Sequence, residues 1–158
     1  MSKLFRTTLW ILSAIGLIAF FFQTLSTFLI SPLMGLLSLL IAAILVALVI
    51  YLLQRSPMWA RPARLWATLA FLWGGGVAVA LALISAGPVM QLAIGSGWVD
   101  AMMSWSGAYP EEISKATGVI FVLMSFRQLN RPWHGWMVGA VVGLGFEAVS
   151  YTHLTLPT

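Results

Sequence analysis

The chain has 158 residues, 61% of them hydrophobic and only 8% charged, with a net charge of +4, whereas a soluble domain has roughly a quarter of its residues charged. This balance excludes a soluble enzyme, a disordered regulator and a nucleic-acid binder, because the pI near 10.1 reflects a shortage of acids: four Asp and Glu stand against eight Lys and Arg. The absence of cysteine also excludes disulfides and thiolate metal sites.

A helix that crosses a bilayer needs about 20 predominantly apolar residues. From Leu9 to Leu53 the sequence is apolar almost throughout, too long for one span and right for two, and Ser31-Pro32 places a tight turn between them. Lys3 and Arg6 precede the first span. The apolar stretch is too long for a secretory signal and no small-x-small cleavage site follows, so a retained anchor is expected.

A polar, proline-bearing segment from Arg55 to Arg64 leads to a third span over Leu65 to Gly87. Gly74, Gly75 and Gly76 at its centre point to close helix packing. Pro88 to Tyr109 is less hydrophobic, with Trp98, Trp105 and Tyr109 near its end, and predicts an interfacial or re-entrant stretch. A fourth span is expected from Pro110 to Phe126 and a fifth from Gly135, after the connection Arg127 to His134. The predicted fold is all-α, a polytopic transmembrane helix bundle of about five spans.

Lys3, Arg6, Arg55, Arg61, Arg64, Arg127 and Arg131 all fall on one side of this arrangement, and Lys115 alone lies within a span. Cytoplasmic loops are enriched in Lys and Arg, so the N-terminus is placed in the cytoplasm of a multi-pass cell-membrane protein. The stretch Val149 to Thr158 breaks the apolar pattern in mid-helix and reads as a translated sequencing-library adapter. A single membrane domain over residues 1–148, cut short there, is therefore expected, with 149–158 foreign to it and His153 not a ligand.

Ionisable groups inside a bilayer are costly and serve mainly function. The candidates are Glu111, Glu112, Lys115 and Glu147. In the run Glu111-Glu-Ile-Ser-Lys115 either acid is within helical reach of the lysine. The plainer reading is a helix start, with Pro110 in the first position and the acids complementing the dipole. Glu147 shares a four-residue repeat with Gly135, Gly139 and Gly143, a face expected to admit a close neighbour. Its plainer reading is a protonated carboxyl, or one near the far surface. At 1.5 Å per residue, Glu112 stands roughly 21 Å above Phe126 and Glu147 roughly 18 Å above Gly135, so both reach one level in the outer half of the membrane. Paired acids there can activate water for peptide hydrolysis or relay protons in transport. The residues alone do not choose.

Tyr109-Pro-Glu-Glu-Ile-Ser-Lys-Ala-Thr-Gly118, Asn130-Arg-Pro-Trp-His-Gly135 and Val138-Gly-Ala-Val-Val-Gly-Leu-Gly-Phe-Glu-Ala148, with Phe71-Leu-Trp-Gly-Gly75 before them, resemble the PrsW family of intramembrane proteases. The likeness covers Phe71 to Ala148. It implies a membrane protease related to the CAAX-protease and bacteriocin-processing superfamily that cleaves membrane-anchored protein substrates, as in site-1 cleavage of an anti-sigma factor.

By motif position Glu111, Glu112 and Lys115 carry over as catalytic. The family's second motif, Phe followed four residues later by Glu, is met here by Phe146 and Ser150, which leaves Glu147 as a supporting acid. A downstream histidine-bearing helix is missing, so this stretch is expected to be inactive alone. A divalent metal stays open for the full-length protein. None is expected here, because His134 sits on the cytoplasmic side as an interfacial residue between Trp133 and Trp136. The partners implied are membrane lipid and the substrate, with no nucleic acid. The rival readings are a proton-coupled transporter subunit and a non-catalytic membrane scaffold.

Overall fold

The computed structural model describes residues 3–154; the side chains of residues 3, 27 and 150–154 lie outside that description. Helices α1 (Lys3–Ile30), α2 (Pro32–Arg55), α3 (Arg64–Leu72), α4 (Val79–Gly95), α5 (Met102–Ser125) and α6 (Pro132–Leu154) follow one another, with a π-helical stretch at Trp73–Ala78 and a 3-10 turn at Val99–Ala101. No strand occurs among the described residues.

The break between α1 and α2 falls where the sequence places it. Ser31 is extended, with φ −150° and ψ 98°, and Pro32 opens α2, where its missing N–H costs nothing. The third rod departs from expectation. Helix α3, the π-helical stretch and α4 run on continuously from Arg64 to Gly95, past Gly87 and through Pro88. Proline within an apolar helix is tolerated where neighbouring groups take up the freed carbonyl.

The stretch expected to be re-entrant is the tip of a helical hairpin. Gly97 turns the chain at φ 77°, the Trp98 amide donates to the Ala93 carbonyl at 2.9 Å, and α5 then begins at Met102, leaving Pro110 buried inside the helix. Along this end Trp98 meets Trp105 at a tilt, 5.0 Å between ring centres, and Trp105 meets Tyr109 edge-on at 5.5 Å. Helix α6 starts at Pro132, three residues ahead of Gly135.

Three helices are long and apolar enough to cross a membrane: Leu4–Ile30, Pro32–Arg55 and Arg64–Gly95. The chain is a multi-pass protein of the cell membrane. Helices α5 and α6 have 24 and 23 residues but do not meet that standard among the described residues. Two acids, a lysine and several serines dilute α5, and glycine replaces larger apolar side chains along α6.

Helices α1 and α2 turn Ile11, Ile18, Phe22, Leu36, Leu40 and Ile44 outward, as lipid-facing rods do. The core lies between the third rod and its neighbours, where Trp66, Trp73, Val138, Val141 and Val142 are fully buried. The tail expected to be foreign is helical in backbone to Leu154; residues 155–158, and the side chains of Ser150 and His153, lie outside the described residues.

Candidate active site

The site is assembled around the π-helical stretch. A methyl group on Gly74 would overlap the Val142 carbonyl of α6, one on Gly76 would overlap Gly16 of α1, and one on Gly145 would overlap the Phe71 carbonyl. Backbone meets backbone on both sides of the rod, which only glycine permits. This relocates the expected close face of α6. Gly135 and Gly139 leave ordinary room beside Leu123 and Val119, at 3.8 and 3.9 Å from an added methyl, and Gly143 faces open space. The tight contact belongs to Gly145, outside the four-residue repeat.

The same stretch aims Trp73 at α5. Its indole N–H donates to the Ser114 carbonyl at 3.0 Å, its ring occupies the space that a side chain on Gly118 would need, and it stacks on Phe121 at 5.3 Å and 23°. Ser114 and Gly118 flank Lys115, so Trp73 fixes the height and rotation of the motif-bearing face. Sequence reasoning singled out the Phe71–Gly75 segment but gave Trp73 no task. A large aromatic beside three glycines, in a rod facing the acidic helix, was the available signal; π-helical turns often occur at functional sites.

Helices α5 and α6 run antiparallel. Leu123 lies beside Gly135, Val119 beside Gly139 and Lys115 beside Phe146, so positions fall along one helix as they rise along the other. The Lys115 ammonium is 2.5 Å from a Glu112 carboxylate oxygen and 4.7 Å from the Phe146 ring centroid. Lys115 is 19% exposed and Glu112 72%; Phe146 is buried. Glu112, Lys115 and Phe146 therefore come together.

Glu111 is half-buried on the same helix. Glu147 is exposed, turned roughly 100° from Phe146 by the helical repeat, and no ion pair joins it to the motif among the described residues. The helix-start reading of the acids does not hold. Helix α5 begins at Met102, more than two turns earlier, and the dipole's influence fades within the first turn.

His134 lies at the opposite end of α6 from Phe146. The Arg131 amide donates to its Nδ1 at 3.1 Å, and Trp133 meets it edge-on at 6.0 Å. Burial, and then the charge of Arg131, hold its pKa below the ordinary 6.5. It serves as an acceptor at the start of α6. Among the described residues no three His, Cys, Asp or Glu side chains gather where they could hold a metal ion. Of the two adjacent acids, Glu112 is already engaged by Lys115, so these residues do not by themselves make a metal centre.

No curated protein and no solved structure matches the chain. The model of the PrsW family intramembrane metalloproteases matches residues 62–151, a stretch that contains Trp73, the Glu111–Lys115 run and Phe146. With more than half of its 158 residues matched and both motif regions in contact, the chain belongs to the PrsW family of intramembrane metalloproteases.

Proposed function

We propose that the Glu111–Lys115 face of α5 is the water-activating part of an endopeptidase site acting on membrane-anchored protein substrates. Site-1 cleavage of an anti-sigma factor is the role that the family likeness favours. The observation that carries the reading is the double engagement of Lys115, by Glu112 on its own helix and by Phe146 on the next. A lysine so placed neutralises the acids and fixes Glu112 relative to α6.

Glu112, or Glu111 beside it, accepts a proton from water as the water oxygen bonds to the scissile carbonyl carbon. The proton passes to the amide nitrogen as the C–N bond breaks. Glu147, exposed on α6 and not joined to the motif by an ion pair, is assigned a supporting part and not the activation of water. In a reconstituted membrane assay, Glu112→Gln abolishes cleavage of a membrane-anchored reporter, while Glu147→Gln lowers it less. Unchanged cleavage in Glu112→Gln overturns the assignment. Proton flux into liposomes without any cleavage overturns the proteolytic reading in favour of transport.

A further inference from the structure

At the end of the bundle far from the acidic motif, where the run of arginines leads the sequence to place the cytoplasm, a cleft of about 1110 Å³ opens between α1, α3 and the end of α5, with Arg6, Arg61, Arg64, Arg127, Gln54 and Trp59 among its walls. All four acids of the chain, Asp100, Glu111, Glu112 and Glu147, lie elsewhere. Glu112 stands roughly 20 Å along α5 from Ser125, and Glu147 roughly 22 Å along α6 from Pro132. The one ion pair among the described residues is that of Lys115 with Glu112. Four arginines thus line one cleft, and none of them forms an ion pair among the described residues.

The cavity wall is built in place by specific bonds. The Trp66 indole N–H donates to the Ala60 carbonyl at 3.0 Å, Trp59 packs on Trp66 at 4.7 Å, and the Gln128 side-chain amide donates to the Pro62 carbonyl at 3.1 Å. The loop bearing Arg61 is thereby tied to both α3 and the end of α5.

The cleft does not end at the surface. Gln54, Trp59, Ala63 and Arg64 also line a second space of about 310 Å³ that continues between α2 and α3. Its other walls include Val46, Ile50, Ala67 and Phe71. Val46, Ile50 and Gln54 follow one face of α2 at four-residue intervals, so the groove extends roughly 12 Å into the apolar zone. A cationic mouth at headgroup level joined to an apolar channel within the membrane is complementary to one class of molecule.

We infer that this cleft and groove bind an anionic phospholipid of the cytoplasmic leaflet, its phosphate held by Arg61, Arg64, Arg6 and Arg127 and one acyl chain lying between α2 and α3. Basic pockets between membrane helices on the cytoplasmic side recognise such headgroups, and a guanidinium fork suits phosphate oxygens. The site is independent of the proteolytic reading, since it shares no residue with the Glu111–Lys115 face.

Native mass spectrometry of the purified full chain in detergent, titrated with phosphatidylglycerol and with phosphatidylcholine, tests the inference. Phosphatidylglycerol is expected to bind at one saturable site and phosphatidylcholine at least about tenfold more weakly. Arg61→Gln with Arg64→Gln lowers phosphatidylglycerol affinity about tenfold or more. Arg55→Gln leaves it unchanged, because that guanidinium lies outside the cleft, over the Tyr51 ring. Ala67→Phe, which fills the groove and spares every charge, also weakens the lipid.

Equal binding of the two lipids, or an equal loss with Arg55→Gln, overturns the inference in favour of diffuse surface charge. Binding of glycerol phosphate as tightly as the lipid, unaffected by Ala67→Phe, overturns it in favour of a soluble phosphate ligand.

Discussion

The Lys115 ammonium lies 4.7 Å from the centre of the Phe146 ring while its charge is met by Glu112. One side chain thus ties the acidic motif of α5 to the glycine-rich helix α6, and it does so through the face of an aromatic ring, an arrangement worth about 0.5–2 kcal/mol depending on desolvation. Phe146→Leu keeps most of the buried volume and removes the ring. It is expected to lower stability by about 1 kcal/mol and to reduce cleavage more than that loss explains. A thermal melt in detergent beside a reporter-cleavage assay measures both.

The glycines of α6 separate by position. Gly145→Ala drives a methyl into the Phe71 carbonyl, whereas Gly143→Ala meets nothing within 4 Å. The first is expected to cost about 1–3 kcal/mol or more, as overpacking against rigid backbone does. The second is expected to be neutral or to stabilise by a few tenths up to about 1 kcal/mol, through the better helix propensity of alanine. Equal melting temperatures for the two variants would contradict the interlocked packing described above.

Trp73→Phe retains the aromatic stack on Phe121 and removes the N–H that the Ser114 carbonyl accepts. The expected stability loss is about 1 kcal/mol. Cleavage should fall through kcat with little change in KM, because Trp73 positions the motif and lies apart from the exposed Glu112 carboxylate.

His134 gives a pH dependence with a definite sign. Burial, and then Arg131, hold its folded pKa below the unfolded value of 6.5. The unfolded chain therefore binds the proton more readily, and stability falls as pH drops below 6.5 toward the folded value. Melting temperature in detergent should decline between pH 7 and pH 5. His134→Asn, which keeps an acceptor for the Arg131 amide, should flatten that part of the profile.

Proline and periodicity told different amounts at different places. Pro32 marked a true helix start, because an extended Ser31 precedes it. Pro110 carries the same local signature, yet it is buried inside α5. A proline's missing N–H is compatible with both settings, and only the Gly97 turn and the hairpin packing decide between them. The pairing of Glu112 with Lys115 was readable from a three-residue spacing.

The partnership of Lys115 with Phe146 needed the helices to meet. The four-residue glycine repeat identified which residues share a face, but spacing carries no information about what stands opposite. The π-helical turn at Trp73 was unreadable for a related reason: it follows from the backbone seating of Gly74 and Gly76 against two other helices. The apolar character of α5 and α6 falls short of a membrane span among the described residues, since their motif residues and glycines are also what dilutes them.

Along the path from Gly16 through Gly76 and Gly74 to Val142, peptide groups rest on one another with no side chain between them. Side chains absorb displacement by changing rotamer; peptide units have no such slack. With no rotamers to absorb it, a displacement of α1 is expected to reach α6 and the ring beside Lys115 with little loss, as in a lever and not a cushion.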